Sequence, residues 1–250
     1  MDRGRYQHLA TNTSAVRNRN QLIVAIHQPN YLPWIGYFQK IAASDVFIFL
    51  NDVQFPKNGF CNRVKVLGDG RERWLTVPVS KRFGDTIDQT RPATGDWPER
   101  HLDALKNYYR KSSHYHAAWP RLVEIFAGIP NSSLADSNQY LIEAMCSELG
   151  LKCRFLKSSE IPVEAKTGDD RLIALVASVA LEATYLSGTG ARNYQNEDKF
   201  TAAGLGIRYN DQPHPNYEQD QDQFVAGLSI IDAVLHLGWQ EAAELLDRRS

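Results

Sequence analysis

Leu22-Ile-Val-Ala-Ile26 runs directly into His27-Gln-Pro-Asn-Tyr-Leu-Pro33, and Val46-Phe-Ile-Phe-Leu50 follows shortly after. These pieces decide the fold. Both apolar runs are continuous rather than alternating, as expected of strands buried on both faces of a parallel sheet. Pro29 and Pro33 exclude regular helix between the runs. Residues 35–43 have helical apolar spacing, which completes a strand, loop, helix, strand order. That is a βαβ unit, normally a right-handed crossover between parallel strands.

Further along, residues 62–67 and 73–79 flank Gly68-Asp-Gly70, a hairpin signal. Residues 97–127 read as helical and carry His101, Tyr108, Tyr109, His114, Tyr115 and His116. A second helical stretch covers 136–149, with Gly150 as its stop. Strands are expected at 152–156, 184–186 and 206–209. Helices are expected at 170–181, 197–203 and 225–248. The fold class is therefore α/β: a mostly parallel sheet with an N-terminal βαβ unit, a small β-hairpin patch and a helical insert at about 97–150. Residues 1–20 are polar and read as a loosely ordered arm, leaving 21–250 as one α/β domain.

The chain has 250 residues, 28 basic and 29 acidic, for a net charge of −1. That balance lacks the basic excess of a duplex nucleic-acid binder. The apolar run 22–26 is too short for a signal-peptide core or a membrane span, so a cytoplasmic location is expected. Cys61, Cys146 and Cys153 have neither disulfide-framework nor metal-knuckle spacing. His114 and His116 stand two apart, which is not metal-ligand spacing on a helix, and no metal site is assigned.

The chemistry-bearing residues concentrate between 27 and 63. In an open α/β sheet, ligands bind beyond the carboxyl ends of the strands. The loop 27–33 follows the first strand and the loop 51–54 follows the second, so both are expected to open onto one crevice. Prolines stiffen the first loop, which suits a preorganised site. His27 and Asp52 are the candidate catalytic residues, and His27 is the group there whose ordinary pKa lies near neutrality. Candidate substrate-binding residues are Gln28, Asn30, Tyr31, Trp34, Tyr37, Gln54, Lys57, Asn58, Asn62 and Arg63. Any one of them has an ordinary structural reading; their density on turn-rich backbone favours ligand contact. A second candidate is the strand-to-helix turn Ser187, Gly188, Thr189 and Gly190, with Arg192 and Tyr194 beyond it. Its exposed backbone N–H groups suit phosphate or another anion, although it matches neither of the standard glycine-rich phosphate motifs.

Ala25-Ile-His-Gln-Pro-Asn-Tyr-Leu-Pro-Trp-Ile-Gly-Tyr-Phe38 is long and specific. With Asp45-Val-Phe-Ile-Phe-Leu-Asn-Asp-Val-Gln-Phe55, Trp74-Leu-Thr-Val-Pro78, Tyr185-Leu-Ser-Gly-Thr-Gly190 and Leu228-Ser-Ile-Ile-Asp232, it resembles the WbqC-like family from residue 21 onward. Typical members carry Asp where this chain has Asn51, and an aromatic followed by Gln-Asn-Arg where it has Phe60-Cys-Asn-Arg63. The departure at Cys61 argues against a family-wide cysteine nucleophile. The resemblance implies a role among surface-polysaccharide and specialised-metabolite genes, as a transferase forming an amide on an amino sugar or carrier-bound intermediate. The order of elements is also similar to the nucleotidylyltransferase-like (HUP-type) superfamily. Here Trp34-Ile-Gly-Tyr37 stands where that superfamily has His-x-Gly-His, so ordinary adenylylation is not implied.

Three functions follow as expectations. The first is amide-forming transfer from an acyl or aminoacyl thioester donor to a small-molecule or carrier-bound amine. There His27 would act as general base; Asn30, Gln54 and Asn58 would bind an oxyanion, and Lys57 and Arg63 a phosphate or carboxylate. The second is nucleotide or nucleotide-sugar chemistry with phosphates at 187–192. The third is a non-catalytic binding protein, which requires the polar stretch to lie on a flat surface.

Overall fold

The computed structural model describes residues 21–165 and 167–246; the expected N-terminal arm lies outside the described residues. Strand β1 (Ile23–His27), helix α1 (Ile35–Ala42) and strand β2 (Val46–Phe49) form the expected βαβ unit. An antiparallel hairpin follows, β3 (Arg63–Gly68) and β4 (Arg71–Thr76), then a two-residue pairing of β5 (Val79–Ser80) with β6 (Arg91–Pro92). The helical insert consists of α2 (Trp97–Tyr109), α3 (Tyr115–Ala127) and α4 (Leu134–Glu148). The chain returns to the sheet as β7 (Arg154–Lys157), α5 (Gly168–Val179), β8 (Thr184–Gly188), α6 (Glu197–Ala202) and β9 (Gly206–Asn210), and closes with α7 (Ile230–Glu244).

The five-stranded sheet has the order β7-β2-β1-β8-β9, and every pairing in it is parallel. Alternate residues of one strand feed opposite cores. Val24 and Ile26 join Val46, Ile48, Leu175, Val176 and Phe200 on one face. Ala25, Phe47 and Phe49 join α1, the hairpin, the helical insert and α7 on the other. Burial on both faces is why these strands read as unbroken apolar runs.

Numbered by their order within this sheet, the strands run third, second, first, fourth, fifth. The order reverses between β1 and β8, and at such a switch point two adjacent strand-end loops diverge to opposite faces and leave a crevice. The fold thus puts the crevice beside His27 on one side and Ser187–Gly188 on the other.

Candidate functional site at the switch point

A cavity of about 690 Å³ opens at that position. This lies within the range of small-molecule sites. The end of β1 contributes Ile26, His27 and Gln28; Trp34 and the α1 residues Gly36, Tyr37, Gln39 and Lys40 form one wall. The end of β8 and the turn after it contribute Ser187, Gly188, Thr189 and Gly190, with Tyr194 at the rim.

The loop after β1 is held from several sides. Tyr37 Oη donates to Gln28 O (2.8 Å), and Asn138 Nδ2 donates to Pro29 O (2.8 Å) and Cys61 O (2.6 Å). The late segment 228–232 pins it too, because Ser229 Oγ donates to Leu32 O (2.7 Å) and Ile230 N to Pro33 O (2.9 Å). Leu32 is buried with φ of 40°, a left-handed conformation that a branched side chain adopts only when its surroundings impose it. The loop is therefore preorganised at some cost in strain.

His27 lines the cavity with its ring 4.7 Å from that of Tyr37, and its Nδ1 is buried without a hydrogen-bond partner. Burial, and then the nearby Lys40 charge, lower its pKa to about 3, so the imidazole is neutral at physiological pH. It is a weaker base than the sequence suggests, and an anion in the cavity would oppose the Lys40 contribution.

Lys40 is the charged residue of the lining that sequence reasoning missed; Gln39, Tyr185, Gln195, Asn210 and Gln212 line the cavity too. Lys40 is 3% exposed, and its Nζ donates to Ile26 O at 2.8 Å. Burial lowers its pKa to about 7. A lysine inside a helix is ordinarily solvated, which hides it from sequence inspection. The available signal was spacing: Gly36, Tyr37 and Lys40 share one helical face, and all three line the cavity.

The other expected site residues divide into two groups. Gln28, Trp34, Tyr37, Ser187, Gly188, Thr189, Gly190 and Tyr194 meet His27 around the cavity. The rest stand outside its lining. Asn30 is buried and its Oδ1 accepts the Cys61 thiol at 3.6 Å; Tyr31 is fully buried, with its hydroxyl 2.6 Å from His101 Nδ1. Asp52 pairs with Arg171 (2.5 Å) and accepts from Ser158 Oγ. Gln54 bridges to Thr86, and Lys57 and Asn58 are exposed. Asn62 Nδ2 donates to Val77 O (3.0 Å), while Arg63 donates to Asn58 O (2.7 Å) and lies over the Trp74 ring. Arg192 lies over Tyr209.

The loop after β2 therefore does not share the crevice as expected; from it only Leu50, the residue directly after the strand, lines the cavity. The reason is topological. β2 is indeed the neighbour of β1, but the switch point lies on the opposite side of β1. Asn51 is instead latched to the turn after β7: its N–H donates to Ser158 Oγ (3.2 Å) and its Oδ1 accepts from Ser159 N (3.1 Å). The turn after β8 is a three-residue 3₁₀ segment, Thr189–Ala191, too short for an appreciable helix dipole. Cys61 is fully buried and its thiol pKa is pushed up to about 12, which leaves it inert at neutral pH. Among the described residues no group of three or more His, Cys, Asp or Glu is placed to hold a metal ion, and no helix is long and apolar enough to cross a membrane.

Fold and cavity together define a doubly wound α/β protein with a ligand-sized crevice at its switch point. The chain belongs to the WbqC-like protein family, whose sequence model covers residues 28–244. It is similar to "Uncharacterized protein Rv1507c" of Mycobacterium tuberculosis (strain ATCC 25618 / H37Rv), with 32% identity over 218 residues, covering 86% of this chain and 94% of that protein. No solved structure matches the chain.

Proposed function

We propose that this chain is a biosynthetic transferase that forms an amide in the switch-point cavity, passing an acyl or aminoacyl group from a thioester donor to an amine on a sugar or carrier-bound intermediate. The observation that supports the reading is the neutral imidazole of His27 on the cavity wall, with Nδ1 unpartnered. A nitrogen lone pair beside a preorganised loop is what deprotonation of an attacking amine requires; as the C–N bond forms the thioester C–S bond breaks, and His27 returns the proton to the departing thiolate. Gln28, Ser187 and Thr189 supply neutral hydrogen-bonding groups around the substrate, and Trp34, Tyr37 and Tyr194 supply aromatic surface. The experiment offers candidate amines and acyl or aminoacyl thioesters to the full chain and to His27→Ala. Turnover that falls by about two or more orders of magnitude in the variant is the expected result. Unchanged turnover removes His27 as the base.

A second reading is favoured by the strand order. Nucleotides commonly occupy the switch point of such sheets, and the Ser187–Gly190 turn borders this one. Calorimetry against ATP, CTP and nucleotide sugars separates the two, since this reading expects heat of binding without any acyl donor. Silence at millimolar ligand would reject it.

A further inference from the structure

We infer that the switch-point cavity binds an oxyanion of its ligand, phosphate or carboxylate, and that the ammonium of Lys40 is the charge that meets it. This rests on the cavity being the substrate site. Among the described residues the lining contains no Asp or Glu, and Lys40 is its sole Lys or Arg. Lys40 is buried, and a main-chain carbonyl, Ile26 O, accepts its hydrogen bond. None of the ion pairs among the described residues involves it. A buried ammonium without a carboxylate is costly, and folds normally avoid it or pair it. An incoming oxyanion would provide the missing counter-charge.

Two further observations agree. His27 Nδ1 is buried on the same wall without a partner; in the tautomer protonated there it would donate to the oxyanion and leave Nε2 as the basic nitrogen. Across the cavity, Gly188 and Gly190 have ordinary negative φ, and a Cβ added at either would meet nothing within 4 Å. Neither backbone conformation nor packing demands glycine there; what glycine does is keep the floor open.

The chemistry is proton-linked. Groups around the cavity that can titrate or carry charge are His27 from β1, Tyr37 from α1, Tyr185 from β8, and Tyr194 and His214 from the loops. None is an acid that would hold Lys40 charged at neutral pH. Burial leaves Lys40 partly deprotonated near pH 7. An anion binds the ammonium form, so binding above neutrality takes up one proton from solvent.

Thermal unfolding of the full chain with sulfate or acetate, across about pH 6.5 to 8.5, tests this. Sulfate stands in for phosphate, acetate for a carboxylate, and both keep constant charge over that range. The wild type should be stabilised by one of them beyond the general salt effect seen in Lys40→Met. Its apparent Kd should weaken by up to about tenfold per pH unit above neutrality. The responding anion identifies the group recognised. A second measurement needs no variant to fold: the side-chain ¹³Cε resonance of one lysine should titrate near neutrality and move to higher pH when the anion is added. Equal anion response in wild type and Lys40→Met overturns the inference, as does a wild type that responds to neither. Lys40-dependent anion binding without acyl transfer supports the inference and removes only the amide-forming assignment. Acyl transfer with substrate affinity unchanged in Lys40→Met overturns the role of Lys40 and leaves that assignment standing.

Discussion

Lys40 and Asp232 are both buried charges, and the protein treats them in opposite ways. Asp232, on α7, has no exposure at all and is surrounded by donors: Tyr109 Oη at 2.8 Å, Tyr217 Oη at 2.6 Å and Gln219 Nε2 at 2.9 Å. His236 Nδ1 lies 3.7 Å from its carboxylate. Its pKa stays raised by burial, although His236 and the three donors offset part of the rise. Lys40 has one carbonyl and an open cavity. A fully partnered buried charge fixes packing, here tying α7 to α2 and to the 217–219 loop; an under-partnered one beside a cavity is held ready for something else.

The largest effect is expected where the network is complete. Asp232→Ala should cost about 3–5 kcal/mol, because two phenols and an amide lose their buried acceptor at once. Denaturant unfolding measures this. A loss below about 1 kcal/mol would erase the contrast with Lys40.

The opposite sign is expected at the cavity. Lys40→Met replaces a buried, unpaired ammonium by an apolar chain of similar length, and should leave the protein about 1–4 kcal/mol more stable near neutral pH. The same variant should lose anion binding. The pH dependence follows from the depression of the Lys40 pKa from 10.5 to about 7. Below pH 7 both folded and unfolded chains hold the proton, and the full penalty applies, on the order of 5 kcal/mol. Between pH 7 and 10.5 the unfolded chain keeps a proton that the native state has released, so stability rises with pH. His27 adds a slope of the same sign lower down, between about pH 3 and 6.5. Lys40→Met should flatten the upper slope and narrow the lower one without abolishing it, because burial is the larger cause of the His27 shift and the Lys40 charge the smaller; unfolding curves at a series of pH values resolve the two.

How much of this contrast was legible in the sequence follows from what each segment buries. The βαβ unit was readable because strands covered on both faces leave unbroken apolar runs. The α2–α3 break was not, since residues 110–114, Arg-Lys-Ser-Ser-His, contain neither glycine nor proline. In the closing helical region the structure starts α7 at Ile230 and kinks it at Gly238, where φ is 84°. The density of polar and aromatic groups in 27–38 was visible in the sequence. The division of that segment was not: Asn30 and Tyr31 turn inward to Cys61 and His101, while Gln28, Trp34 and Tyr37 turn to the cavity. Asp52 and its neighbours misled because adjacency to β1 does not reveal on which side of β1 the chain order reverses.

Tyr31 probes the inward half of that division. Its hydroxyl lies 2.6 Å from His101 Nδ1, and the other ring nitrogen of His101 lies 3.2 Å from Thr76 O. Tyr31→Phe should cost about 1–2 kcal/mol by leaving a buried imidazole nitrogen unpartnered. It should leave affinity for the cavity ligand unchanged. A variant of normal stability with weakened binding would move Tyr31 from scaffold to site.

Gly188→Ala carries the smallest change in stability and the sharpest separation of fold from site. The backbone there is extended, with φ of −80° and ψ of 151°, which alanine adopts freely. Apart from its two chain neighbours, no described residue comes within 4 Å of the added methyl. Restricting the unfolded chain should therefore raise stability by about 0.4–1 kcal/mol. The methyl would occupy the floor of the cavity opposite the Lys40 wall, so ligand affinity should fall while the melting temperature rises slightly. Asp232→Ala, by contrast, should take stability and binding down together, since α7 carries the segment that pins the loop after β1. Were Gly188→Ala to lose stability and keep its affinity, the glycine would be serving the fold, and the open floor would cease to support a ligand there.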